Sequence, residues 1–403
     1  MMASHLIDEL CVETESKIVF LILDGLGGLQ MGEHPVTELE AANTPNMDKL
    51  VAGNTCGALI PVEPGVTPGS GPGHFGLFGY DPVDANIGRG VLSAAGLEFE
   101  LTERDVAARV NLATLDADGN IKDRRAGRIA TEENERICEK LRKHIHLSDG
   151  VEFFLKTEKE HRALFVLRGD GLGGDLEDTD PQQVGVPTLD PKGADAASEK
   201  TAKYVRDFLQ QARKVLSDEP QANFLMLRGF AKHRRYKTLN ERFKLKTYAI
   251  ANYPMYRGIS RLVGMEIAPV SQNLSTQIDE LERTWDKYTF FFMHVKTTDA
   301  TGEDGNYAGK VKAIEDVDAL VPRILARKPD VLVITGDHST PSAMRSHSWH
   351  PIPILLAAKN VRRDRVMAFN ENNCLQGGLG IFQSQHLMNY ALAHAGKLIK
   401  FGA

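Results

Sequence analysis

Four short apolar runs constrain this chain more than anything else in it: KIVFLILD (17–24), YTFFFMHV (288–295), DVLVITGD (330–337) and PIPILLAA (351–358). Each has the length of a strand and is apolar on both faces, as strands are in a parallel sheet covered by helices on each side. Helical patterns are expected over 43–53, 199–217, 275–287, 308–328 and 383–396. Thr44-Pro45 opens the first of these, with proline where its missing N–H does no harm. The alternation predicts an α/β fold, a mostly parallel sheet flanked by helices. Between about 100 and 245 the texture changes to strand-like stretches, Gly/Asp turns (DADGN, GDGLGGD) and more arginine. Similar flanks around a dissimilar middle predict a discontinuous domain, 1–100 with 245–403, carrying an inserted α+β domain at 101–244.

Open parallel sheets collect their ligands beyond the carboxyl ends of the strands. The first run ends in Asp24; the second runs on to Asp299, Glu303 and Asp304; the third ends in Asp337 and His338. His347 precedes the fourth run. A buried strand has little reason to finish in an ionisable group that nothing pairs with. One such aspartate is commonly a cap or a turn former, but an Asp-His pair with a further histidine nearby is the mixture that holds Mn²⁺, Mg²⁺ or Zn²⁺.

A second element is TPGSGPGHFGLFGYDP (67–82), in which Ser70 lies among glycines and prolines ahead of a helical-looking segment. Free N–H groups at a helix start suit an anion. A serine hydroxyl is a weak nucleophile until a base or a metal ion activates it, and the acidic strand ends offer the second route. The chain therefore reads as a two-metal phosphoryl-transfer enzyme with Ser70 as nucleophile.

The formal charge of -6 argues against general binding to nucleic acid or anionic membrane, so the basic cluster KHRRYK (232–237) reads as a solvated face. The four cysteines are scattered, which suits a reducing interior. No secretory pattern opens the chain and no run approaches a membrane span, so a cytoplasmic protein is expected, with its oligomeric state left open.

ILDG, EAANTPNMDKL, TPGSGPGHFGLFGYDP, IGRGVL, DRRAGR and ITGDHSTPSAMRSHSWHPIP follow one another in this order. Together they resemble the archaeal-type cofactor-independent phosphoglycerate mutases of the alkaline phosphatase superfamily. The resemblance implies an alkaline-phosphatase-like core. It also implies interconversion of 3-phosphoglycerate and 2-phosphoglycerate through a phosphoserine at Ser70, with two divalent ions and no 2,3-bisphosphoglycerate. Asp24, Ser70, Asp337 and His338 would surround one ion; Asp299 and His347 would serve the other, with His350 a neighbour. Mn²⁺ or Mg²⁺ is expected, with Zn²⁺ or Co²⁺ as alternatives. One position departs from the family: where a histidine is usual, this chain has Glu303, which is expected to replace it, with His294 and Asp304 as alternatives. The substrate would meet His74, Arg89, Arg124, Arg125, Arg128, Arg168, Arg228, Arg257 and Lys296, with DRRAGR and Arg228 ranked highest. Closure of the inserted domain through segments near 95–105 and 240–250 would exclude water. Rival readings are a metal-dependent phosphatase or another phosphomutase on the same core, and a non-catalytic metal- or anion-binding regulator.

Overall fold

A computed structural model describes residues 3–85 and 87–402. The chain divides into two compact units, Met1–Asn86 with Tyr236–Ala403, and Ile87–Arg235. Both crossings fall earlier than the expected 100/101 and 244/245. The helix Arg89–Gly96 packs within the second unit, where a Cβ on Gly90 would stand 2.2 Å from the backbone of Ala107. The helix Leu239–Phe243 packs within the first, where Arg242 donates to Asp8 at 3.2 Å and to the Gly79 carbonyl at 2.7 Å.

In chain order the first unit supplies β1 (Ile18–Leu23) and β2 (Thr55–Ile60). The second supplies β3 (Asp105–Leu115), β4 (Ile121–Asp123), β5 (Glu152–Lys159), β6 (Arg162–Arg168) and β7 (Phe224–Lys232). The first unit then resumes with β8 (Thr247–Ile250), β9 (Glu266–Ile267), β10 (Phe290–Val295), β11 (Val331–Thr335), β12 (Ile352–Ala358) and β13 (Gly380–Gln383).

The strands of the first unit lie in the order β13-β2-β12-β11-β1-β10-β8-β9. β1 runs parallel to β10 and β11, and β10 to β8. β12 is the exception, antiparallel to both β11 and β2. The reversal has a consequence for the site. The start of β12 reaches the same edge as the ends of β1, β10 and β11, and β2, reversed again, also ends there. Residues just before β12 and just after β2 are thus delivered to the edge where the acidic strand ends lie. β1, β10 and β11 are buried along their whole length, as their apolar runs require.

The expected helix over 308–328 is two helices, Tyr307–Asp318 and Val321–Ala326. Pro322 lacks an N–H and fits only in a first turn, so it starts a new helix instead of continuing the old one. Among the described residues, no helix is long and apolar enough to cross a membrane.

In the second unit every strand pair is antiparallel, with β3 flanked by β6 and β7. Alternate side chains of a strand face opposite ways. Val106, Ala108, Val110 and Leu112 join a core with Ile137 and Leu141 of the helix Thr131–His144, and with Val205, Phe208 and Ala212 of the helix Ala196–Val215. Arg109 and Asn111 therefore belong to the opposite face.

Candidate active site

At the strand-end edge of the first unit, the expected groups converge on one imidazole nitrogen. His338 Nε2 lies 3.2 Å from Asp24 Oδ1, 3.3 Å from Asp337 Oδ2 and 3.4 Å from Ser70 Oγ. Donors sharing one cation at roughly 2.0–2.2 Å stand roughly 3–3.5 Å apart, so these spacings are those of a coordination shell. Both Asp24 carboxylate oxygens and Asp337 Oδ2 are buried and lack a partner of hydrogen-bond geometry, although Lys296 Nζ lies 3.0 Å from Asp24 Oδ2 and His74 Nδ1 3.1 Å from Asp337 Oδ2. Buried carboxylates in that condition are costly unless a cation meets them, and a divalent ion fits the need. A second group, Asp299, His338 and His347, adjoins the first. Asp299 Oδ1 lies 3.7 Å from His347 Nε2 and 4.0 Å from His338 Nε2.

Hydrogen bonds set the histidine tautomers so that bare nitrogens face the carboxylates. His347 Nδ1 donates to the Pro68 carbonyl at 3.0 Å, leaving Nε2 free. The Thr340 hydroxyl donates to Asp299 Oδ1 at 2.6 Å and lies 3.0 Å from His338 Nδ1. Having given its proton to Asp299, that hydroxyl accepts from His338 Nδ1–H, and in the neutral ring His338 Nε2 keeps its lone pair. Burial opposes a charge on His338, yet Asp337, Asp24 and Asp299 outweigh it and raise its pKa to about 9, so Nε2 offers its lone pair only to an ion that displaces the proton it otherwise carries at neutral pH. Burial would likewise raise Asp24, but His294 and His338 hold it well below the usual carboxylate range.

Ser70 begins the helix Ser70–Leu77 at its exposed N–H end, earlier than the segment after it suggested. The helix can lie against the third strand end because residue 73 is glycine: a Cβ there would be 2.5 Å from the Asp337 carbonyl. His74, on the same helix, is fully buried; its Nδ1 is 2.8 Å from the Ser70 carbonyl and 3.1 Å from Asp337 Oδ2. It braces the nucleophile and a candidate ligand together.

Glu303 lies on the rim, half exposed, with Oε1 3.9 Å from His347 Nε2. Of the alternatives to it, His294 turns instead to Asp24 at 3.3 Å, and Asp304 caps the helix Thr297–Glu303. His350 pairs with Ser348 at 3.0 Å. Lys296 Nζ is 3.0 Å from Asp24 Oδ2 and also bonds Asp299. Arg257 donates to the carbonyls of Ala251 and Ala268 at 3.0 and 2.6 Å.

The other arginines belong to the second unit. Arg124 forks onto Asp180 at 2.9 and 2.7 Å, and Arg168 onto Asp105 at 2.7 Å by both nitrogens. Arg125 and Arg128 are exposed. Arg228 is buried and opposes Arg109 directly across β3 and β7, just past a register shift. Arg162 pairs with Asn111, which places it on the Arg109 face. Burial, then Arg89 and Arg162, push Arg109 down to about 10. Arg109 Nε and Arg162 Nε are buried without a partner. Like charges opposed across a ladder repel; Asp178, 3.4 Å from Arg228, and Asp180, 3.5 Å from it, offset part of that repulsion.

Sequence reasoning missed Arg109, Arg162, Thr340, Tyr256 and Lys310. Arg109-x-Asn111 in a strand pattern was the one available signal. Lys310 is fully buried and donates to the carbonyls of Gly25, Gly27 and Thr340 at 2.9, 3.0 and 2.9 Å, tying together the loops after β1 and β11.

Residues 52–222 match the family described as 2,3-bisphosphoglycerate-independent phosphoglycerate mutase. A relative from Thermus thermophilus named for that activity is 51% identical over 398 residues, covering 98% of each chain. One from Aquifex aeolicus is 48% identical over 405 residues, covering 98% of this chain and 99% of its own. A solved protein from Pyrococcus horikoshii superposes with a TM-score of 0.82 at 29% identity, over 96% of this chain and 99% of its own. The cofactor-independent phosphoglycerate mutase of Thermoplasma acidophilum does so with 0.69 at 28% identity, over 94% and 100%.

Proposed function

The chain belongs to the 2,3-bisphosphoglycerate-independent phosphoglycerate mutase family, an isomerase that interconverts 3-phosphoglycerate and 2-phosphoglycerate, and from that premise we propose how its residues divide the work. Asp24, Ser70, Asp337 and His338 would hold one divalent ion; Asp299 and His347, with Glu303 from the rim, would hold the other. Mn²⁺ or Mg²⁺ suits a set this rich in carboxylate. Bound there, the two ions supply positive charge to the transferring phosphoryl group and favour the ionised form of the serine hydroxyl.

Ser70 attacks the phosphate of 3-phosphoglycerate and carries the phosphoryl group as phosphoserine. Lys296, fixed between Asp24 and Asp299, meets the same phosphoryl oxygens from its own side. Within the second unit, Arg109, Arg228, Arg162 and Arg89 offer guanidinium groups suited to a planar anion such as a carboxylate, which they bind through paired hydrogen bonds. The phosphoryl group returns to the neighbouring hydroxyl and 2-phosphoglycerate leaves. Exclusion of water during this exchange separates a mutase from a phosphatase. A cytoplasmic setting follows from the reaction and from four cysteines that are all free.

The observation that supports this reading is Ser70 Oγ beside His338 Nε2, with the buried carboxylates of Asp24 and Asp337 within 3.3 Å of the same nitrogen. The test is incubation of the protein with Mn²⁺ and 3-phosphoglycerate, beside Ser70→Ala. The expected product is 2-phosphoglycerate, with the variant reduced by on the order of 10³-fold or more. Release of free phosphate alone would make the protein a phosphatase.

A further inference from the structure

Tyr256 enters the nucleophile pocket from the helix Pro254–Leu262 and is fully buried, hydroxyl included. Its ring stacks on His294 with centroids 3.8 Å apart and lies 4.7 Å from the ring of His74. Lys296 Nζ is 3.1 Å from its hydroxyl. An ammonium has protons and no lone pair, so in this contact the tyrosine oxygen accepts. The phenolic proton is therefore turned away from Lys296, whose Nζ also lies 3.0 Å from Asp24 Oδ2. A phenylalanine would fill the same volume and stack as well. The one thing the oxygen adds is a polar contact to the Lys296 ammonium, which itself reaches Asp24 beside the nucleophile.

We propose that Tyr256 is a catalytic residue: its O–H donates to the phosphoryl group beside Ser70 while its oxygen holds the Lys296 ammonium in place. This rests on Ser70 as the nucleophile. In the step, the Oγ–P bond forms and the P–O bond to the glycerate carbon-bound oxygen breaks. The proton lost by Ser70 is matched by the one gained on the departing hydroxyl. Tyr256 keeps its own proton and serves as a fixed donor to an oxygen on which negative charge is concentrated.

The test is Tyr256→Phe in the Mn²⁺-loaded protein, assayed on 3-phosphoglycerate and on 4-nitrophenyl phosphate. The second substrate reads phosphoryl transfer to Ser70 whatever the natural acceptor is. The expected result is a kcat about 10- to 100-fold lower on both substrates, with KM within about twofold. Bound metal and melting temperature should match the wild type. An unchanged kcat on both substrates overturns the proposal, as does a kcat that falls only together with metal content or melting temperature. Should the wild type cleave 4-nitrophenyl phosphate but leave 3-phosphoglycerate unisomerised, the mutase reading fails, and the nitrophenyl assay still decides the role of Tyr256.

Discussion

Glu303 stands where the family pattern has a histidine, and its consequence is one of charge. In the proposed ligand set, Asp24, Asp299, Glu303 and Asp337 would bring four negative charges against the four positive charges of two divalent ions, and imidazole in place of Glu303 would leave one positive charge over. A neutral site attracts a phosphate dianion less and favours oxygen-loving ions over zinc. Glu303→His is therefore expected to raise activity with Zn²⁺ relative to Mg²⁺, measured by assaying metal-stripped protein reconstituted with each ion. An unchanged ratio would remove Glu303 from the ligand set. Asp24, Ser70, Asp299, Asp337, His338 and His347 could be named from sequence because each sits at a strand end or in a distinctive loop. Lys310 could not. A lysine in the helix Tyr307–Asp318 reads as a solvated side chain, and only packing shows that it is fully buried against three carbonyls.

At the level of elements, the direction of β12 and the register of β3 matter most. The apolar run of β12 looks like its neighbours, and a fully buried strand carries no mark of its direction. Yet its reversal is what brings His347 to the edge occupied by Asp24, Asp299 and Asp337. In β3, the shift between Ala107 and Arg109 sets Arg109 opposite Arg228. Such a pairing trades stability for anion binding. Arg109→Gln is expected to raise KM for 3-phosphoglycerate about tenfold while stabilising the protein by about 0.5–1 kcal/mol, read from steady-state kinetics and urea unfolding. A variant with unchanged KM would show that the carboxylate is bound elsewhere. Arg124, within the DRRAGR stretch ranked highest from sequence, and Arg168, also named there, are already engaged: Asp180 and Asp105 occupy their guanidinium forks.

For the whole molecule, the Asp105–Arg168 pair gives a measurable link between pH and folding. Burial alone would raise the Asp105 carboxyl, but Arg168 and the Thr102 N–H hold it below its ordinary value. A carboxylate with a lowered folded pKa stabilises the fold above its unfolded pKa, near 4, and that contribution fades as pH falls through the folded value. Asp105→Asn should cost about 1–2 kcal/mol at pH 7, Arg168 being part exposed, and the difference should shrink as pH falls below about 4 and through the lowered folded value. Denaturant unfolding across that range checks it; a pH-independent difference would assign the loss to packing. The sequence by itself determined the α/β class, the division into two kinds of texture and the chemistry at the strand ends, because burial periodicity and ligand type are local properties of the chain. Tertiary structure alone decided which strand is reversed, where the two units part, which arginines are already engaged, and that a tyrosine and a lysine far from any motif lie buried beside the site. Those outcomes depend on which distant segments pack together, and no short stretch of sequence records its neighbours.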